Sequence, residues 1–176
     1  ANVTDPLPAL SSADVRPIVE AFRAVCWPLD DDGITAIARD LGWDVDMVRR
    51  RAIAFRTPYA LSACEATAFV RDGAVREVSV MASDQVARTP GASAADAARV
   101  FGAVRGAVAE LLGAPAGPAS GRSSAAFWDL ENRGRIWVSK LAADVVVLYV
   151  RSEWFADLER DEERLGIDPD RDPLAG

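Results

Sequence analysis

Residues 125–151, AAFWDLENRGRIWVSKLAADVVVLYVR, decide how the rest of the chain must fold. They read as three consecutive β-strands, over residues 127–131, 136–141 and 145–150. The second segment alternates in the two-residue period of a pleated strand. The third contains six apolar residues in a row, which is typical of a strand buried on both faces. Such a strand lies in the middle of a sheet beneath a helix, so the remaining chain must supply further strands and that cover.

Four helices are predicted from capping residues, helix breakers and apolar stripes. The first lies near the N-terminus, and the second begins at Asp31 or Asp32 and is closed by Gly42. The third, over residues 93–112, carries a continuous apolar stripe. The fourth begins at Ser152, and its apolar side chains are expected to face inward with the charged ones outward. The inward set of this last helix is Trp154, Phe155, Leu158 and Leu165.

Further strands are predicted on either side of the turns. Asn132-Arg133-Gly134 separates the first two strands of the opening stretch, because Asn and Gly accept a positive φ at low cost. Residues 60–70 and 75–81 form strands on either side of Asp72-Gly73, a dipeptide typical of a tight hairpin. Residues 44–57 fit either a helix or a strand, and the sequence leaves both open.

These elements predict one α+β domain, with a mostly antiparallel sheet of five to six strands and helices packed on it. The domain is expected to span residues 11–166. An extended arm is predicted over residues 1–10, which carry two prolines, and an acidic tail over residues 167–176. A chain of 176 residues is long enough to bury a core of its own without disulfides.

Composition excludes several classes of site. The chain has no histidine, which rules out a histidine general base, a histidine-bearing zinc site and a Ser-His-Asp triad. No cofactor and no metal are expected. The net charge of −7 disfavours non-specific binding to nucleic acid or to an anionic membrane and is compatible with a basic protein partner.

The expected location is the cytoplasm. The two cysteines are too few for a disulfide framework. No apolar run approaches the length of a membrane span, and the N-terminal residues lack the basic-then-apolar pattern of a secretory signal.

Residues 34–51 resemble a helix-turn-helix in the spacing of Ala38, Gly42 and Val48. The arginines at positions 49–51 are then candidates for contacts to DNA phosphates. Aspartates in the same segment and the acidity of the whole chain oppose this interpretation. The alternative is a helix that ends at Gly42 and is followed by a solvated basic turn or strand edge.

The whole layout resembles a family of small actinobacterial proteins of unknown function that are often encoded beside secreted toxins. The resemblance covers most of residues 14–165. The layout is also similar to that of the immunity factors that neutralise NAD-hydrolysing toxins such as tuberculosis necrotizing toxin. The residues that carry the resemblance are Leu41-Gly42-Trp43, Val75 to Val80, Leu111 to Pro115, Trp128, Trp137 and Val145 to Val150.

The resemblance implies a non-enzymatic immunity protein that occludes the active site of a cognate toxin, either basic or with a nucleotide-binding cleft. No catalytic residue is carried over from the family. Projecting turns and one acidic strand are the predicted contacts. They are Arg71, Asp72 and Gly73 at the hairpin tip, Gly117, Ser120, Gly121 and Arg122 in a flexible loop, and Asp129 with Glu131 on one strand. The alternative functions are a helix-turn-helix regulator and a chaperone for a secreted effector.

Overall fold

The computed structural model describes residues 7–118 and 124–167, with the backbone alone for residues 117 and 118. Within these residues the chain forms four α-helices and one antiparallel sheet, which confirms the predicted single α+β domain. The helices are α1 (Ser12–Arg23), α2 (Asp31–Asp40), α3 (Ala94–Leu112) and α4 (Glu153–Leu165). The strands are β1 (Asp44–Arg49), β2 (Ala52–Arg56), β3 (Glu65–Arg71), β4 (Ala74–Met81), β5 (Gly117–Pro118), β6 (Ser124–Asp129), β7 (Arg135–Lys140) and β8 (Val146–Arg151).

The sheet has more strands than the sequence predicted. Its order is β1-β2-β3-β4-β8-β7-β6-β5, and every neighbouring pair is antiparallel. Seven strands have five or more residues, and β5 adds a two-residue strand at one edge. The prediction of five to six strands was therefore too low, mainly because residues 44–57 supply two strands.

Residues 44–57 form a hairpin, which settles the choice between helix and strand. Gly42, at φ 75°, follows α2 and turns the chain out of the helix. After Trp43, the six residues of β1 pair with β2. The helix-turn-helix prediction is wrong in structural terms, because the segment that would be its second helix is the strand β1.

The helices α1 and α3 cover one face of the sheet, which we call the first face. The hydrophobic core lies on this face. Inward side chains alternate along each strand, and β8 supplies Val146, Leu148 and Val150 with no measurable exposure. The central position predicted for this strand is confirmed, since β8 lies between β4 and β7. At the rim of this face, Trp128 donates from Nε1 to the carbonyl oxygen of Gly113 at the end of α3, at 2.8 Å.

The predicted N-terminal arm is extended over its described residues 7–10, but these residues belong to the core. Leu7 and Leu10 are almost fully buried. The N–H of Leu10 donates to the carbonyl of Ala82 at 2.9 Å, and Ala9 bridges to Ser83. Residues 1–6 and 168–176, which include most of the predicted acidic tail, lie outside the described residues.

The turn between β6 and β7 forms where it was predicted, but by different residues. Arg133 takes the positive φ of 68°, rather than Asn132 or Gly134. Gly134 is required for close packing instead, because a Cβ there would lie 2.7 Å from Nε1 of Trp27. The glycine thus allows the turn to pack against the segment that follows α1.

Candidate functional site

Two neighbouring hairpin tips form the first wall of an open groove. Asp72 and Gly73, at φ 54° and 71°, make the tight turn predicted between β3 and β4. The adjacent turn between β1 and β2 consists of Arg50 and Arg51. The N–H of Val70 donates to the carbonyl of Arg51 at 2.9 Å, which holds the two tips side by side.

The opposite wall is the start of α4. Ser152 caps this helix, and its N–H donates to the carbonyl of Arg76 at 2.9 Å, so the helix begins directly beside β4. Trp154 lies on the first turn, and its ring packs 4.4 Å from the guanidinium carbon of Arg76. This cation–π contact orients a charged side chain that has little room to move.

The groove, which we call the arginine groove, has a volume of about 850 Å³. Phe69 and Trp154 expose large apolar surfaces on its walls, at 44% and 43% of their full area. Its charged lining consists of four arginines and one aspartate: Arg50, Arg51, Arg71, Arg76 and Asp72. The groove is therefore cationic, although the chain as a whole carries a net charge of −7.

The internal pairing of these charges is weak. Asp72 is the carboxylate of the groove, and its Oδ2 lies 3.7 Å from Nε of Arg71 and 4.0 Å from Nη2 of Arg76. Nε of Arg76 is buried and has no hydrogen-bond partner in the described part of the chain. Arg71 keeps 72% of its side chain exposed, so it is accessible to a partner.

A second cluster of charges, under α4, has a structural role. Arg135 is only 1% exposed, and its Nη1 donates to Glu163 at 2.7 Å and to Glu159 at 3.3 Å. Its Nε donates to Oδ1 of Asp129 at 3.0 Å. The guanidinium also lies 4.1 Å from the centre of the Phe127 ring. These contacts hold α4 against the sheet. The helix lies on the face opposite α1 and α3, which we call the second face.

Arg151 links this second cluster to the centre of the sheet. It donates to Glu77 at 2.8 Å and also pairs with Glu159. Its guanidinium lies 4.6 Å from the ring of Phe155 on α4. The helix therefore docks through buried ion pairs and ring contacts, and these contacts fix the position of Trp154 beside the groove.

The predicted inward face of α4 is wrong for three of its four residues. Trp154 and Leu158 are 43% and 44% exposed, and Leu165 is 72% exposed. Only Phe155 is partly buried against the sheet. The charged residues of the helix face the sheet instead, because Arg135 and Arg151 on that face need carboxylate partners.

The structure places the predicted partner-binding residues in separate regions. Arg71, Asp72 and Gly73 line the arginine groove, as a projecting hairpin tip should. Gly117 is part of β5 and pairs with Phe127, so this end of the predicted loop is a strand. The other three loop residues, Ser120, Gly121 and Arg122, lie outside the described residues.

Asp129 and Glu131 do not form the predicted acidic strand face. The strand ends at Asp129, and Glu131 lies in the turn that follows. Asp129 is held by Arg135 and Arg160, with Nη2 of Arg160 at 2.8 Å. Partial burial acts to raise the pKa of the Asp129 carboxyl, but the hydrogen bonds and charges of both arginines outweigh it and leave the pKa below its usual value. Asp129 therefore stabilises the fold, and β6 lies three strands away from β4, the nearest strand of the groove.

Seven of the residues that line the groove were not among the predicted partner-binding contacts, although two of them, Arg50 and Arg51, were candidates for contacts to DNA. The seven are Arg50, Arg51, Phe69, Val70, Arg76, Trp154 and Phe155. One local signal was available: the two-residue period of β3 buries Ala68 and Val70, so Phe69 between them must lie on the other face. The juxtaposition itself was not predictable locally, because it depends on three elements that are distant in sequence.

In the described residues, no cluster of three or more Cys, Asp or Glu side chains is arranged to hold a metal ion. None of the helices described combines the length and apolar character needed to cross a lipid bilayer.

Comparison with known proteins identifies one family. Neither a curated protein nor a solved structure matches the chain. The model of a family of unknown function, DUF6301, matches residues 13–151, from the start of α1 to the end of β8. The match covers the sheet, the helices of the first face and both hairpin tips of the groove, and it ends two residues before α4. Because it spans most of the chain, this protein belongs to the DUF6301 family.

Proposed function

We propose that this protein is a non-enzymatic, cytoplasmic immunity protein that binds a cognate toxin and occludes its active site. The observation that carries the proposal is the arginine groove, in which an exposed hairpin tip projects beside four arginines and two exposed aromatic rings. Arg and Trp are enriched among the residues that dominate binding energy at protein interfaces. The resemblance to toxin-associated immunity proteins supports the same function.

The charge of the groove favours an acidic surface on the toxin. Net charge alone suggested a basic partner, but binding depends on the local potential at the contact. The guanidinium of an arginine matches a carboxylate or phosphate with two parallel hydrogen bonds. Arg71 is suited to this contact because it is highly exposed at the end of the paired strands β3 and β4.

An NAD-hydrolysing toxin is the first candidate partner. Enzymes that cleave glycosidic bonds commonly hold carboxylates beside the bond that breaks. A hairpin that carries Arg71 into such a cleft would pair with a carboxylate and exclude the substrate physically. The protein needs no chemistry of its own for this, because covering the cleft is sufficient.

The test is a mixture of this protein with the toxin encoded beside it, or with an NAD-hydrolysing toxin of the same type. We expect a stable complex by size-exclusion chromatography and loss of NAD hydrolysis at equimolar protein. Arg71→Glu should weaken inhibition by at least about tenfold, since it reverses a charge at the centre of the contact. Arg105→Glu is the matched control, because Arg105 is exposed on α3, which covers the first face of the sheet.

Three results would contradict the proposal. The first is that no complex forms. The second is a complex in which the toxin remains active, which would indicate a chaperone. The third is an equal effect of the Arg71 and Arg105 variants, which would place the contact away from the groove.

A further inference from the structure

The outer edge of β1 is a second exposed surface, separate from the arginine groove. All six residues of this strand are exposed, and it ends the sheet with no partner on its outer side in the described residues. Three of them are apolar: Val45, Met47 and Val48, with Val48 66% exposed. An unpaired edge presents free backbone donors and acceptors, so it is a template for another strand.

A β-bulge in β1 decides which face each of its side chains occupies. Val45 opposes the buried Phe55, which places it on the first face. Val48 opposes the buried Ile53 and lies on the same face, because the bulge between the two valines adds one residue. The extra residue, Asp46, pairs with Arg56 at 3.1 Å on the second face. The residues of β1 on the second face are Asp44, Asp46, Met47 and Arg49.

The strand DVDMVR is complementary to itself when a second copy runs antiparallel beside it. With the two-fold axis between Asp46 and Met47, Asp44 opposes Arg49 of the second copy. Val45 then opposes Val48 of the second copy, and Asp46 opposes Met47. In each of these pairs both members lie on the same face of the sheet. A slip of one residue would destroy this agreement, so the register is well defined.

We propose that two copies of this chain associate through β1, so that their sheets join into one continuous antiparallel sheet. By two-fold symmetry each contact occurs twice, which gives two aspartate–arginine pairs and two valine pairs. Only six residues per copy take part, against roughly 20–30 in a standard interface. The association is therefore weak and depends on protein concentration.

The charges on β1 distinguish this pairing from indiscriminate aggregation. Charged residues and bulges commonly protect an edge strand from pairing. In β1 the charges at the two ends, Asp44 and Arg49, have opposite signs, so they attract across the two-fold axis. Like charges directly opposite each other would repel, as they would in a parallel arrangement of the same two strands. The edge thus favours a second copy in one orientation.

The experiment is sedimentation velocity over a wide range of concentrations, on the full chain, on three charge variants of β1 and on one control variant. The wild type should shift from monomer to dimer as its concentration rises. Asp44→Arg and Arg49→Asp should each weaken dimerisation by about tenfold, because each turns both attractive pairs into repulsive ones. The double variant, Asp44→Arg with Arg49→Asp, should restore it. Arg105→Asp on α3 is the control and should dimerise like the wild type.

A monomeric wild type at every concentration would overturn the proposal. So would a dimer that neither single reversal weakens, because it would use another surface. Val48→Lys provides a variant that leaves Asp44 and Arg49 intact. It should also weaken the dimer, because it places a charge opposite Val45 of the second copy. Circular dichroism of each variant checks that the monomer is folded, and none of the substituted residues lines the groove.

Discussion

Asn132 joins two distant parts of the chain through one side chain. Its Nδ2 donates to the carbonyl oxygens of Phe22 at 3.0 Å and Val25 at 2.8 Å, and its Oδ1 accepts from the N–H of Gly134 at 3.0 Å. The last carbonyls of a helix have no partner within the helix. At the end of α1 the carbonyl of Phe22 accepts from the N–H groups of Ala24 and Val25, and Asn132 adds a side-chain donor from the turn between β6 and β7.

Asn132→Ala should lower the free energy of unfolding by about 1–3 kcal/mol, because it removes the donor of the partly buried Val25 carbonyl and a second donor to the Phe22 carbonyl. Urea denaturation monitored by tryptophan fluorescence measures the change. Glu131→Ala is the matched control, since Glu131 is the exposed neighbour in the same turn. Equal effects of the two variants would contradict the assigned role of the asparagine.

Asp129 makes the free energy of unfolding depend on pH in the acidic range. Its pKa is lower in the folded protein than in the unfolded chain, so it stabilises the fold above its unfolded pKa of about 3.9. That contribution is lost as the pH falls through the folded pKa. The Asp129→Asn variant should therefore be less stable than the wild type at neutral pH, and the difference should shrink toward the acidic end. Urea midpoints measured from about pH 7 to about pH 2 test this, and a constant difference would contradict it.

At the scale of elements, α4 shows what periodicity leaves undetermined. A 3.6-residue pattern identifies which residues share a face, but not which face is buried. Here Arg135, a sheet residue that is only 1% exposed beneath α4, requires the carboxylates of Glu159 and Glu163. The charged side of the helix therefore faces the protein. The sequence predicted the bounds of this helix well and its orientation incorrectly.

Arg135→Ala should lower the free energy of unfolding by about 2–3 kcal/mol, because it removes the charge-assisted hydrogen bonds of a buried guanidinium, while Asp129 and Glu163 are about half exposed and can be hydrated. Arg135→Lys should recover only part of this loss, since an ammonium group cannot reproduce the planar set of donors. Arg164→Ala should change it by less than about 0.5 kcal/mol, because the Arg164 pair with Asp161 is exposed. Urea denaturation measures all three, and similar values for Arg135 and Arg164 would contradict the cluster's role in holding α4.

The hairpin of β1 and β2 was ambiguous in sequence for a physical reason. Because β1 is exposed along its whole length, it carries no alternation of buried and exposed residues from which a strand can be recognised. In contrast, β8 was predicted well, because six consecutive apolar residues have few other places in a fold. Whether a strand could be recognised in the sequence depended on how deeply it is buried, rather than on the strand preference of its residues.

At the scale of the whole molecule, the sheet should be most stable at its centre. Val146, Leu148 and Val150 of β8 are completely buried between two neighbouring strands, whereas all of β1 is exposed at one edge. Amide hydrogen exchange should therefore be slowest in β8 and occur there only through global unfolding, while β1 exchanges through local opening. Mass spectrometry of peptides from each strand measures this, and uniform protection across the sheet would contradict it.

The candidate site also belongs to this scale. Its hairpin tip, Arg71 to Gly73, was predicted from a local turn signal. Its other wall could be predicted only from the packing of α4. The position of Arg50 and Arg51 could be predicted only from the pairing of β2 with β3. Residues that meet only through the assembled sheet leave no local pattern, so the sequence could identify the tip but not the groove.

The crowding of positive charge in the arginine groove has a practical consequence. Four guanidinium groups line the groove together with one carboxylate, that of Asp72, which lies within 4.0 Å of Arg71 and Arg76, so the excess positive charges repel one another. An anionic occupant would relieve that repulsion and favour the native state by mass action. Binding of such an occupant should therefore raise the melting temperature of the protein. A panel of acidic peptides and proteins can be screened for those that raise it, before the physiological target has been identified.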